Sequence, residues 1–125
     1  MTTTPPPEPK RGEIWWVDFT PSVGAEIQKT RPAVVVNLDG VGRLGVRLVV
    51  PLTTWQEKFA NRPWMIHVAK SKTNGLSNDS AADILQLKAV AKERLQERLG
   101  HLEGANLVEV ANAIALIVGY ETPSP

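Results

Sequence analysis

The chain has 125 residues, 14 of them Lys or Arg and 13 Asp or Glu, which gives a formal net charge of +1. So balanced a charge excludes a bulk electrostatic basis for binding nucleic acid or membrane, and any such surface has to be local. The absence of cysteine excludes disulfides, thiolate zinc sites and thiol nucleophiles, and two histidines far apart in sequence, His67 and His101, argue against a His-based metal site or a Ser-His-Asp triad.

Residues 1–10 (MTTTPPPEPK) are rich in proline and carry no aliphatic residue beyond Met1, and the chain closes on ETPSP. Both read as disordered tails, 1–10 and 122–125, around a single domain spanning 11–121. A domain of that size buries roughly two thirds of its unfolded-chain surface and folds with little margin. Five short apolar segments follow in order. IWWVDF (14–19) ends before Thr20-Pro21, and RPAVVVNLDG (31–40) closes on the Asp39-Gly40 turn signal. VRLVVPLT (46–53), WMIHVAK (64–70) and ADILQLKAV (82–90) complete the set. Short loops between them predict a curled antiparallel sheet or small barrel rather than alternating β-α units. A turn at Lys92–Leu95 and a strand-like ERLGHL (97–102) come next. The period then changes: Leu107, Val110, Ile114 and Ile117 share one helix face, with Val108, Ala111, Ala115 and Val118 beside it. So wide an apolar face predicts that another chain covers part of it. The longest apolar run, AIALIVGY (113–120), is too short to span a bilayer, and the N-terminus lacks a signal-peptide h-region, so a soluble, cytoplasmic protein is expected.

Motifs carry the reading further. RGEIWWVDFTPSVGAEIQKTRPAVVV (11–36) places Arg11-Gly12, Trp15-Trp16, Asp18-Phe19, Pro21, Gly24 with Glu26, and Arg31-Pro32 in one stretch. VVPLTT (49–54) and GLSNDSAADILQLKAVAKERLQERLGHL (75–102) follow in order. This succession resembles the MazF/PemK toxins, ribosome-independent RNases of bacterial toxin–antitoxin pairs, over nearly all of residues 11–118. The resemblance implies a mainly β, α+β fold: a small SH3-like antiparallel barrel of the CcdB/PemK type with a C-terminal helix, assembled as a homodimer. Two positions depart from the family pattern. Ile27 stands where Gln usually follows the Gly-x-Glu acid, and Leu85 where an acidic residue usually precedes the Gln, here Gln86.

The same resemblance assigns cleavage to Arg31 and Thr53. RNA brings its own nucleophile, the ribose 2′-hydroxyl, so no metal or cofactor is implied. A guanidinium fixed at a strand start suits the doubly charged phosphorane, donating two hydrogen bonds with full charge. Thr53 is too weak an acid to be a base and instead orients the phosphate. Glu26 has the charge for a general base; holding Arg31 in place is its other reading. Without the resemblance, Arg31 reads as a solvated strand-start residue and Thr53 as an ordinary strand end. The Arg-Pro dipeptide favours the aimed side chain, because Pro32 keeps the preceding residue extended. Trp15, Val17 and Phe19 share the core face of their strand, leaving Trp16 to stack on an unpaired base or to be buried under a loop or partner. TTWQEKFANRPW (53–64) interleaves Thr54, Trp55, Lys58 and Arg62 as a single-strand RNA groove does, or as a dimer rim or antitoxin-binding surface does. Gln86 completes the expected RNA contacts. His67 reads as a structural or exposed strand histidine, and His101 as surface.

Three functions compete on this reading. The first is a metal-independent endoribonuclease that cuts single-stranded messages, leaves 2′,3′-cyclic phosphate and 5′-hydroxyl ends, and is restrained by a MazE-like antitoxin. The second is a CcdB-like gyrase-binding toxin, since fold alone does not fix function. The third is a catalytically weakened family member, suggested by Ile27 and Leu85.

Overall fold

In the computed structural model, residues 8–27, 29–41 and 45–120 are described. Seven strands appear in chain order: β1 (Glu13–Asp18), β2 (Thr30–Val35), β3 (Val46–Thr54), β4 (Met65–Val68), β5 (Ser80–Asp83), β6 (Lys88–Ala91) and β7 (Leu95–His101). Single 3-10 turns at Glu57–Phe59, Ile84–Gln86 and Lys92–Arg94 punctuate them, and one helix, α1 (Gly104–Ile117), ends the fold. Every ladder is antiparallel, in the order β4-β5-β3-β2-β1-β7, with β6 also on β3. The sheet therefore stays open, with β4 and β7 at its two ends, instead of closing into the expected barrel.

β3 organises the sheet. Its first half (Val46–Val49) pairs with β6 and its second half (Leu52–Thr54) with β5. The segment 82–90, expected as one strand, is thus two strands running back along β3, interrupted by the Ile84–Gln86 turn.

Alternation along the strands separates two hydrophobic clusters, one on each face. Ile14, Val34, Val50, Leu52, Val68 and Ala82 pack with Leu102, Val110 and Ala113, which seats α1 on that face. Trp15, Val17, Phe19, Ala33, Val35 and Val49 pack with Val90 and Leu95 on the other. The expected core face of β1 is buried as its pattern requires. Helix α1 ends as Gly119 turns to φ 78°, a left-handed backbone that a side chain resists, while Tyr120 N–H reaches back to Ala115 O at 2.8 Å. Val110 and Ala113 are buried, whereas Val108 (59%), Leu116 (60%) and Val118 (73%) remain exposed on the far side of the helix region.

Of the expected N-terminal tail, residues 8–10 carry contacts. Pro9 is buried, its carbonyl accepts from Arg47 Nε at 3.1 Å, and Lys10 N–H donates to Glu13 at 2.8 Å. Residues 1–7 and 122–125 lie outside the described residues.

Candidate functional site

β1 pairs with β2 so that Val17 faces Arg31, and β2 pairs with β3 through Ala33 and Pro51. That ladder ends at Ala33–Pro51; continued by two residues, its register would set Arg31 across from Thr53. Thr53 in turn faces Ala81 of β5, and Ala81 faces His67 of β4. Thr53, Ala81 and His67 therefore form one row across three strands, and alternation puts Arg31 on the same sheet face. Pro32 holds Arg31 extended at the start of β2, as the dipeptide requires. Arg31 and Thr53 are half-buried, a setting in which a fixed donor loses less to solvent than on an open surface.

Both residues border a cleft of about 250 Å³ together with Trp16 and Thr54. Alternation assigns Trp16, Pro32, Leu52 and Thr54 to the helix-side face, and Arg31 and Thr53 to the other. The cleft sits where the strand ends let both faces meet. Its far wall is the loop Gly75–Asn78 with Ser80 and Leu99. Gly75 is required there: its φ is 70°, and an added Cβ would run into the backbone carbonyl of Leu99. Ser77 and Asn78 were not among the expected site residues, although GLSNDS opens a stretch that carries the family resemblance.

Glu26 and Gln86 belong to a second cluster. Phe19 is buried in the cluster on the Arg31 face and Ile27 packs against it, so the connection between β1 and β2 lies over that face. This gives Ile27 a role that a polar residue would not serve. Gln86 donates to Ala25 O and accepts from Ile27 N–H, each at 3.2 Å, and so fastens the connection to the Ile84–Gln86 turn. Glu26 is exposed; one carboxylate oxygen accepts from Val23 N–H at 3.1 Å and the other lies 3.6 Å from Lys88 Nζ. Neither Glu26 nor Gln86 lines the Arg31–Thr53 cleft. Leu85, in the same turn, is 59% exposed.

The third cluster surrounds Trp55. Its ring meets Phe59 edge-on at 5.9 Å and His67 at 4.6 Å. Lys58 Nζ lies 5.8 Å and Arg62 Cζ 5.5 Å from the centre of the Phe59 ring, each within cation–π range. Asp79 approaches His67 Nε2 at 3.8 Å and accepts from Lys70 N–H at 3.0 Å. Asp83 lies two residues beyond Ala81 at the end of β5, facing Met65 of β4. Burial pushes its carboxyl above the usual range, against the pull of the Leu85 and Gln86 backbone N–H groups and of Arg62. One of its oxygens is buried with no hydrogen-bond partner. At the end of β1, Asp18 is held below the usual range by the Thr20 hydroxyl and backbone N–H.

Among the described residues no three or more His, Asp or Glu side chains gather as metal ligands, and no helix is long and apolar enough to cross a membrane. The structure thus brings Trp16, Arg31, Thr53 and Thr54 to one cleft and Trp55, Lys58 and Arg62 to its flank, and sets Glu26 and Gln86 apart on the loop clamp. The His67–Asp79 approach had no sequence signal, because their pairing depends on how β4 lies against β5.

Known proteins resemble this chain in sequence and in fold. The family model described as PemK-like, MazF-like toxin of type II toxin–antitoxin system matches residues 10–118. The chain is 35% identical over 113 residues to Endoribonuclease MazF9 of Mycobacterium tuberculosis, covering 86% of this chain and 93% of that one. Its fold is similar to the crystal structure of MazF from Deinococcus radiodurans, with a TM-score of 0.74 at 20% identity over 89% of this chain and 96% of that one. An endoribonuclease in complex with its cognate antitoxin, from a mycobacterial species, gives a TM-score of 0.72 at 19% identity, covering 93% of this chain and all of that one. With the match spanning the sheet, the cleft and the helix, the chain belongs to the PemK-like, MazF-like toxins of type II toxin–antitoxin systems.

Proposed function

We propose that the protein is a toxin endoribonuclease that cuts single-stranded RNA at a short sequence, without a metal ion, in the cytoplasm where messages are exposed. The observation that carries this is the cleft of about 250 Å³ that Arg31 and Thr53 border together. Support comes also from family membership and from the named endoribonuclease relative.

The ribose 2′-hydroxyl attacks the adjacent phosphorus as its P–O5′ bond breaks, and the departing 5′-oxygen takes a proton from solvent water, which yields a 2′,3′-cyclic phosphate and a 5′-hydroxyl. Arg31 donates in bidentate fashion to the non-bridging oxygens as their charge grows. The Thr53 hydroxyl donates to one of the same oxygens and fixes the phosphate for in-line attack. Trp16 and Thr54 hold a base or sugar at the cleft, and Trp55, Lys58 and Arg62 take the neighbouring backbone and bases. Glu26 lies on the loop over this face, already bound to Val23 N–H and close to Lys88. We assign it the proton of the attacking hydroxyl, with Gln86 fastening the connection that carries it through Ala25 and Ile27.

The same surface takes an antitoxin. Lys58 and Arg62 outweigh Glu57 along residues 53–64, so the inhibitor is an acidic MazE-like segment with apolar anchors that folds as it binds. A homodimer completes the reading, with the exposed Val108, Leu116 and Val118 as part of the buried surface. Incubation of the purified protein with a long RNA, in excess EDTA and beside supercoiled DNA with gyrase, tests the function directly. Cut RNA and unaffected gyrase are expected. Cleavage that requires added Mg²⁺ overturns the mechanism, and gyrase inhibition with intact RNA overturns the function.

A further inference from the structure

The imidazole of His67 has no part in the scheme above, yet the register sets it on the reacting row. Thr53 and His67 are the two partners of Ala81, one on each side. Two strand spacings separate them, about 10 Å between Cα atoms. Ala81, between them, is itself fully buried, so the row is covered at its middle, whereas its His67 end is open to solvent.

Two contacts hold the ring. The Trp55 indole lies 4.6 Å away between centroids, with the planes inclined at 54°. Trp55 is itself braced edge-on by Phe59, whose ring is buried. Asp79 Oδ2 lies 3.8 Å from Nε2, and Asp79 is tied at both ends: its side chain accepts from Lys70 N–H and its carbonyl from Trp55 N–H, each at 3.0 Å. Despite this support, 47% of the His67 side chain is open to solvent. A surface strand histidine needs no such backing. Here a planar ring is fixed from behind by a stack rooted in the core, while its outer side is free.

We propose that His67, backed by Trp55 and held by Asp79, is the stacking platform for the nucleobase next to the scissile phosphate. Unpaired bases are taken up by His and Trp rings, and the stack tolerates any base because each has a π-face. Lys58 and Arg62, gathered at the Phe59 ring, supply positive charge for the phosphate that this base carries. The inference rests on the RNA-cleavage reading and adds a residue to it. A stack of this kind exists before and during the reaction, so it lowers KM and leaves kcat alone.

The test uses a short fluorogenic RNA spanning a site first mapped with the wild-type protein on long RNA. His67→Ala is expected to raise KM by about tenfold with kcat unchanged, in keeping with the usual strength of one base stack. His67→Phe is expected to restore KM, since it keeps the ring and discards the charge. Thermal unfolding of both variants checks that the fold is intact. An unchanged KM in His67→Ala overturns the platform. So does a fall in kcat at constant KM, which signals proton transfer, or a Phe variant no better than Ala, which signals charge. RNA left intact by the wild-type protein removes the cleavage reading and the platform with it; cleavage by both proteins with equal KM removes the platform alone.

Discussion

The two ends of β3 carry similar residues and do different things. At the Val46–Val49 end, each nitrogen of Arg47 is engaged: it bonds Glu8 at 2.8 Å, Pro9 O at 3.1 Å and Val46 O at 2.9 Å. Lys92 closes on the other oxygen of Glu8 at 2.9 Å. The hollow there, about 340 Å³, is larger than the one beside Thr53. At the Leu52–Thr54 end, the nearby cations Lys58 and Arg62 lie by the Phe59 ring, and among the described residues neither forms an ion pair. Size therefore does not mark the site. What differs is whether the positive charge is already neutralised by the chain itself or left for an anionic ligand to meet.

The comparison breaks most sharply at Arg31 and Thr53. Arg31→Ala is expected to cost ~10²–10³ in cleavage rate or more, the usual loss for one preorganised donor to a developing oxyanion. Arg31→Lys recovers little, because a point charge does not reproduce the planar fork. Thr53→Ala is severe and Thr53→Ser mild, since only the hydroxyl is needed. Arg47→Ala, on the same strand, leaves the rate unchanged. Single-turnover cleavage of one RNA by all five variants checks the set. An Arg31→Ala protein that keeps most of its rate, or an Arg47→Ala protein that loses it, reverses the assignment of the two ends.

Next in size is the pair Lys58→Glu with Arg62→Glu. Reversing both charges is expected to weaken RNA and antitoxin binding together. Wild-type affinity for either ligand should fall as salt rises, because part of the attraction is screened. Titration of a cleavage-inactive Arg31→Ala protein with RNA and with an acidic antitoxin segment, at low and high salt, measures this. Antitoxin affinity that survives both substitutions separates the two surfaces and makes inhibition allosteric.

The difference between the ends was only partly legible in the sequence. Strand positions, the face of β1 and the helix followed from period, since two-residue and 3.6-residue spacings leave direct marks. Arg31 and Thr53 were singled out only through the family resemblance; by themselves they pass for a solvated strand start and an ordinary strand end. Open ends of the sheet were not legible, because closure depends on how the last strands meet and not on any one segment. Nor was the Gln86 clamp on Ala25 and Ile27: it joins residues far apart in the chain through backbone groups, which carry no residue code. Ile27 looked like a lost substrate contact until its packing against Phe19 and its neighbours gave it a core role. Residues 8–10 looked like tail by composition, yet the partners that hold Glu8, Arg47 and Lys92, lie in strands and turns that composition does not connect.

Asp83 sharpens the comparison from the side of stability. It lies beside the site end of β3, half-buried, with an unpartnered oxygen and a carboxyl pushed up by burial. A raised native value means that the folded state favours the protonated form. The associated stability is fully present below the unfolded-state value and is lost as pH rises through the native one. Asp83→Asn removes the charge, so it is expected to raise Tm at pH 7 and to leave Tm nearly unchanged at pH 3. Thermal melts at the two pH values check the sign. A lower Tm for the variant at pH 7 means that ionised Asp83 is held by Arg62 strongly enough to outweigh its burial.

The smallest effect belongs to Glu8, and its sign is opposite. Lys92 hydrogen-bonds its carboxylate and, with Arg47, holds it below the usual carboxylate range. A depressed native value gives stability that is present above the unfolded-state value and disappears as pH falls through the native one. Glu8→Gln is therefore expected to lower Tm slightly at pH 7 and not at pH 3, slightly because exposed pairs are screened by solvent. Cleavage and RNA affinity should not change, since Glu8 sits at the far end of β3 from Thr53. A gain in RNA affinity on Glu8→Gln is the informative failure. It would mean that Glu8 shields Arg47 and Lys92 from the substrate, and that both ends of β3 contact RNA once that carboxylate is gone.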